Sequence, residues 1–240
     1  MTAAQRPVIA LEFRGVGDTA DFGFLNKEAG AVGLVRLDPL VDHIAAPLNI
    51  DKQARLIAER FPELPRLVLA YCGTAALALH VAALTEAATV LVDPYQVTAE
   101  DLHRDFARMC RSLAVEPPDR APAPDLGEWE ALVLTARDAM AGEHGGDEEA
   151  YEFVDDLFDR YRGWLRFLFA SVDAGPVGPR APITAVTAVT AKPPSSLGEL
   201  VTEPGRVRTH RVVTAADTGT LDSGPVRELL AALVCGDGEE

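Results

Sequence analysis

Three cysteines occur in 240 residues, and one of them stands where a thiol could work as a nucleophile. In RLVLAYCGTAALALHVAAL, Arg66 to Leu84, Cys72 separates an apolar strand-like run from an Ala/Leu-rich helix-like run. A strand, a tight turn and a helix would expose the turn residue at the carboxyl edge of a sheet, beside the helix N-terminus. The positive end of that helix would favour thiolate over thiol. The amide of the next residue, Gly73, would point into the same space and could stabilise a developing oxyanion. Ala75 and Ala76 keep the start of the helix small. The same pattern also suits a cysteine packed as a small hydrophobe. Cys110, in RDFARMCRSL, reads as a packed thiol on a helix, and Cys235, near the acidic GDGEE end, as incidental. An odd cysteine count without metal-ligand spacing indicates neither a disulfide framework nor a zinc site.

A turn of this kind needs a sheet to carry it. PVIALEF (Pro7 to Phe13) and AVGLVRL (Ala31 to Leu37) read as buried strands. NIDKQARLIAERF then places Ile50, Ala54, Ile57, Ala58 and Phe61 at helical spacing behind Asn49, a good N-cap. RLVLAY is a strand, GTAALALHVAAL a helix, and ATVLVDPY a strand that stops at Pro94. Alternating strands and helices with near-continuous apolar strands predict an α/β fold, a mostly parallel sheet with helices on both faces. After the proline-rich EPPDRAPAPDLGE come helix-like segments in EWEALVLTARDAMA and DEEAYEFVDDLFDRYRGWLRFLFASV, so residues from about 115 to about 175 are expected to form a helical insertion over the sheet. PITAVTAVTA and RVRTHRVVTA return to strand, and PVRELLAALV closes with a helix whose proline suits the first turn. One domain over residues 1–240 is the simplest division at this length.

Composition narrows the classes. Hydrophobic residues make up 48% and charged residues 25%, the balance of a globular protein with a real core. A net charge of -15, from 37 acidic against 22 basic residues, repels a phosphate backbone and argues against nucleic acid as a partner. No apolar run approaches the roughly 20 residues that span a bilayer, and MTAAQRPVIALEF lacks the pattern of a secretory signal, so a cytoplasmic protein with no membrane partner is expected. No cofactor is expected either: neither G-x-G-x-x-G after the first strand nor G-x-x-x-x-G-K-[ST] occurs, and no His/Cys cluster suits a metal.

The strand after Cys72 ends in VLVDPYQ, and here the chain resembles the thioesterase domains that release polyketide chains, members of the α/β-hydrolase superfamily. Those domains carry an aspartate followed closely by tyrosine and proline at this strand end. The resemblance implies that Asp93 is the acid of a catalytic triad and that Cys72 stands at the nucleophile position. PVIALEFRGVG looks like the first strand and oxyanion loop, so Gly73 would share the oxyanion hole with an amide near Arg14 and Gly15. The helical middle resembles a lid, and VRTHRVVTAADTGTLDSGPVRELLAALV the last strand, histidine loop and final helix. Two departures matter. The elbow pattern G-x-S-x-G reads Ala70-Tyr71-Cys72-Gly73-Thr74, and the histidine loop reads Ala216-Asp217-Thr218-Gly219, which puts Thr218 where the general base belongs.

Threonine takes no proton at neutral pH, yet a cysteine nucleophile tolerates that loss better than serine because a few per cent thiolate already exists. His210 reads as a strand side chain, His80 as a helix packing or surface residue, and His43, His103 and His144 lack catalytic spacing. The arginines around Phe158, Tyr161 and Trp164 read as the polar face of an amphipathic helix or as donors to a phosphate-bearing carrier. The expected function is acyl transfer, as acyltransferase or thioesterase, on a small-molecule acyl group carried as a thioester on the phosphopantetheine arm of an acyl or peptidyl carrier protein, in polyketide or nonribosomal peptide biosynthesis. The alternative is a catalytically degenerate thioesterase-like protein that binds an acyl carrier or templates a cyclisation.

Overall fold

A computed structural model describes residues 6–13, 21–28, 33–41, 43–113, 115–116, 125–143, 145–178, 180–188, 197–214 and 219–235. Arg14, Gly15 and Thr218, together with His144 and the proline-rich stretch at 117–124, lie outside the described residues.

The strands are β1 (Val8–Leu11), β2 (Leu34–Leu37), β3 (Leu67–Tyr71), β4 (Ala88–Val92), β5 (Ile183–Ala188) and β6 (Val207–Val212). The helices are α1 (Leu25–Glu28), α2 (Ile50–Ala58), α3 (Ala75–Thr85), α4 (Ala99–Ser112), α5 (Leu126–Glu143), α6 (Glu148–Val172) and α7 (Gly224–Cys235). All six strands pair in parallel in the order β2-β1-β3-β4-β5-β6. The alternation read from the sequence is therefore an α/β sheet with helices on both faces, as expected.

Local chemistry explains the element ends. Asn49 caps α2 by accepting from the Lys52 amide at 3.1 Å, the role read for it from the sequence. Thr98 and Asp101 form a reciprocal capping box at the start of α4. The central strands β1 and β3 are apolar because both faces are covered: Ile9, Leu11, Val68 and Ala70 belong to the larger core with α2 to α6, whereas Val8, Ala10, Leu67 and Leu69 pack toward α1 and α7. Helix α3 packs on the sheet and is apolar apart from His80 and Thr85, with Leu77, Ala78 and Val81 wholly buried.

The strand order reverses direction between β1 and β3, because the chain leaves β1 toward β2 and returns to build every later strand on the other side. Open α/β sheets form their binding crevice outside the carboxyl ends of the strands at such a switch point. Here those ends are Glu12-Phe13 after β1 and Cys72 after β3. Helices α4, α5 and α6 occupy the connection between β4 and β5, and α6 lays Trp164 and Phe167 against Phe13, with ring centroids 4.8 and 4.9 Å away. No helix among the described residues is long and apolar enough to cross a membrane.

Candidate active site

Cys72 follows β3 without a spacer and opens a single turn of 3-10 helix, Cys72–Thr74, that runs straight into α3. Its backbone is left-handed, with φ 52°, a conformation that costs a non-glycine residue about 1–3 kcal/mol and persists where the surrounding structure imposes it. What imposes it is visible. The buried Thr74 hydroxyl lies 3.0 Å from the Leu11 carbonyl and 2.9 Å from that of Tyr71, and it accepts from the Tyr71 amide at 3.1 Å. From the other side, the Tyr95 amide donates to the Cys72 carbonyl at 3.3 Å. The elbow is thus pinned to β1 and to the segment after β4. Thr74, which stands where G-x-S-x-G has a glycine, supplies a hydroxyl strap that a glycine lacks. Crowding does not dictate a glycine at position 73, since a methyl group on Gly73 would meet Val97 Cγ2 at an ordinary 3.8 Å.

The Cys72 side of this turn is exposed, and no disulfide engages the residue. It borders a cavity of about 350 Å³ with Phe13, Val97, Trp164 and Leu168 as apolar wall. The polar wall comes from Glu12, Tyr95 and one face of α4. Glu12 is 2% exposed, and its carboxylate accepts from Arg36 Nε at 2.5 Å and from the Phe22 amide at 2.7 Å. Arg36 continues to Asp21 at 2.6 Å, so the two flanks of the 14–20 segment are tied to β2. Asp101 accepts from the Tyr95 hydroxyl, from Arg104, and from Thr98 Oγ1 at 2.6 Å. Burial by itself would raise the Asp101 carboxyl, but these hydrogen bonds outweigh it and hold the group at about 2. The Tyr95 hydroxyl is pushed up to about 12 by burial and by its bond to the Asp101 carboxylate. Asp105, one turn on and facing Arg108 at 3.7 Å, is raised by burial.

Asp93 sits at the end of β4, also left-handed with φ 43°. Its carboxylate does not line the Cys72 cavity. It turns toward β5, where the Ala188 amide donates to it at 2.8 Å, and toward the turn Thr220–Asp222, where the Thr220 hydroxyl donates to the other oxygen. Sequence reading put Thr218 at the position of the missing histidine. Among the described residues, the threonine in contact with Asp93 is Thr220, and the sequence carried no signal for it. None of the described histidines borders the cavity. His80 pairs with Asp51 at 2.7 Å, His103 reaches the Ala99 carbonyl at 2.6 Å, and His43 lines a separate cleft beside α6. Cys110 is buried, and burial pushes its thiol up. Of the arginines on α6, Arg160 faces Asp38 at 3.4 Å and Arg166 faces Glu130 at 2.5 Å.

The fold as a whole has counterparts among solved structures. The chain superimposes on the RedJ thioesterase of the prodiginine pathway of Streptomyces coelicolor with a TM-score of 0.51 at 17% identity, over 98% of this chain and 91% of that one. The NocB thioesterase domain, in covalent complex with a fluorophosphonate nocardicin G analog, gives 0.55 at 14% identity, over 98% and 96%. The fold is that of the α/β-hydrolases. An α/β-hydrolase family protein from Desulfitobacterium hafniense agrees, with a TM-score of 0.56 at 13% identity over 98% and 97%. At such identities the likeness is one of fold. No family model matches the sequence, and no curated protein matches it. Cys72, which the sequence suggested as a nucleophile, lies at the switch point of the sheet, and the Thr220 hydroxyl touches Asp93 at the end of β4.

Proposed function

We propose that this chain is an acyl-transfer protein of the thioesterase type, in which Cys72 accepts the acyl group from a thioester on the phosphopantetheine arm of an acyl or peptidyl carrier protein. The observation that carries the reading is the left-handed elbow, which holds an exposed thiol at the edge of a largely apolar cavity of about 350 Å³. The fold shared with RedJ and the NocB thioesterase domain supports it.

In the proposed step the Cys72 thiolate attacks the thioester carbonyl. The electron pair moves onto the carbonyl oxygen, which the Gly73 amide stabilises with a second donor from the Arg14-Gly15 segment. Collapse breaks the bond to the carrier sulfur, which leaves as thiolate and takes up the proton lost from Cys72. One thioester replaces another, so the step is nearly isoenergetic and needs no activated water. Hydrolysis would need a base to deprotonate water, and Asp93 is committed to Ala188 and Thr220. Transfer is therefore favoured over hydrolysis. Asp93 acts as a positioning residue, holding β4, β5 and the Thr220 turn together behind the elbow.

That same commitment favours one second reading, a protein that binds an acyl carrier or templates a cyclisation without a covalent step. Mixing the protein with butyryl N-acetylcysteamine and following N-acetylcysteamine release by chromatography separates the two. Transfer to Cys72 predicts a burst of one equivalent that Cys72→Ala abolishes, whereas the binding reading predicts no burst.

A further inference from the structure

A second cavity of about 350 Å³ opens at the opposite, amino-terminal end of the sheet, bounded by β3 to β6 and the end of α7. Its floor is apolar, formed by Leu67, Val90 and Leu233, and three arginines converge on it: Arg66, Arg206 and Arg208. The register explains how Arg208 arrives there. Val90 pairs with Thr184 and Thr184 with Arg208, so the three share one face of the sheet, and Val90 packs on that face with Leu230 and Val234 of α7.

These arginines are under-used by the protein itself. Arg66 Nη2 donates to the Val234 carbonyl at the end of α7 at 2.6 Å, but Arg66 Nε is buried with no acceptor among the described residues. Among the described residues Arg206 pairs with Glu203 alone, at 3.4 Å and with both side chains more than half exposed, a pair of little energetic consequence. Arg208 makes no ion pair or side-chain hydrogen bond among the described residues. A buried guanidinium N–H without an acceptor is costly, and in a chain of net charge -15 three cations around one cleft are not a background feature. The planar forks of arginine match the geometry of carboxylate and phosphate oxygens.

We infer that this cleft binds a small organic oxyanion, a carboxylate or a phosphate monoester with a short apolar body, its head between Arg66 and Arg208 and its tail over Leu67, Val90 and Leu233. The site stands independently of any chemistry at Cys72, from which β3 separates it by about 20 Å at about 3.3 Å per residue.

Calorimetric titration of the full chain at low ionic strength with hexanoate, hexyl phosphate and inorganic phosphate tests the inference. One hexyl ligand should saturate a single site and bind at least tenfold more tightly than inorganic phosphate. The preferred hexyl ligand identifies the head group. Arg208→Glu, at an exposed position, should weaken binding at least tenfold while leaving the unfolding temperature unchanged, and Cys72→Ala should bind as the parent does. Absence of saturable binding by all three probes, or affinity that survives both Arg208→Glu and Arg66→Gln, would overturn the proposal, as would inorganic phosphate binding as tightly as hexyl phosphate.

Discussion

The Thr220 hydroxyl donates a hydrogen bond to the carboxylate of Asp93, tying the turn before α7 to the end of β4. The other carboxylate oxygen accepts from Ala188 N–H at 2.8 Å, so Asp93 is satisfied without a base. An aspartate at this position therefore has a structural explanation that does not require a working triad.

If the missing imidazole is what limits hydrolysis, restoring one beside Asp93 should create it. Thr220→His is expected to raise hydrolysis of butyryl N-acetylcysteamine by at least tenfold, toward the 10²- to 10⁴-fold that a positioned general base supplies. Thr218→His, the substitution that sequence reasoning alone would choose, is the comparison, and it should give the smaller gain. Equal inertness of both variants, each folded and still acylated at Cys72, would refute the role assigned to the missing base.

Thr74 is predicted to hold the elbow in shape. Thr74→Val keeps the volume but leaves the Tyr71 amide and the Leu11 carbonyl without their hydroxyl partner. Loss of about 1–3 kcal/mol is expected from the unsatisfied buried groups, read by denaturant unfolding. An unchanged midpoint would show that the strap contributes nothing.

Asp101 should make stability fall in acid. Because its folded-state value of about 2 lies below the unfolded 3.8, its stabilisation, at most about 2 kcal/mol, is complete above about pH 4 and is lost as the pH falls from there through about 2. Asp101→Asn should therefore be less stable than the parent at pH 7 and indistinguishable from it near pH 2. A constant difference across that window would assign the loss to packing instead.

Much of this arrangement was legible in the sequence because it rests on short-range signals. Asn49 announces α2, the apolar runs before Gly or Pro announce β1, β3 and β4, and the abrupt change from RLVLAY to GTAALALH places the turn at Cys72. What was not legible depends on contacts between distant segments. Nothing local marks Thr220 as a neighbour of Asp93, 127 positions away. The strap from Thr74 to Leu11 spans 63 residues, and Arg66 and Arg208 line one cavity only because β3, β4, β5 and β6 lie side by side. Asp101, Tyr95 and Arg104 are close in sequence, but their place in the Cys72 cavity depends on how α4 folds back over β1 and β3. The arginines of α6, read as donors to a carrier, are partly spent within the fold, Arg160 on Asp38 and Arg166 on Glu130.

The thiols themselves should differ. At pH 7 iodoacetamide is expected to modify Cys72 before Cys235, which is exposed but at the end of α7, and long before Cys110, which is buried with its thiol pushed up. Peptide mapping over a time course gives the order, and a Cys72 no faster than Cys235 would remove the case for an activated elbow.

The most direct measurement is the intact mass of the protein after brief exposure to butyryl N-acetylcysteamine, followed by peptide mapping. One added butyryl group is expected on the peptide containing Cys72, absent from Cys72→Ala and removed by hydroxylamine. A mass unchanged in the parent protein, or an adduct equally abundant in Cys72→Ala, would contradict acyl transfer to Cys72.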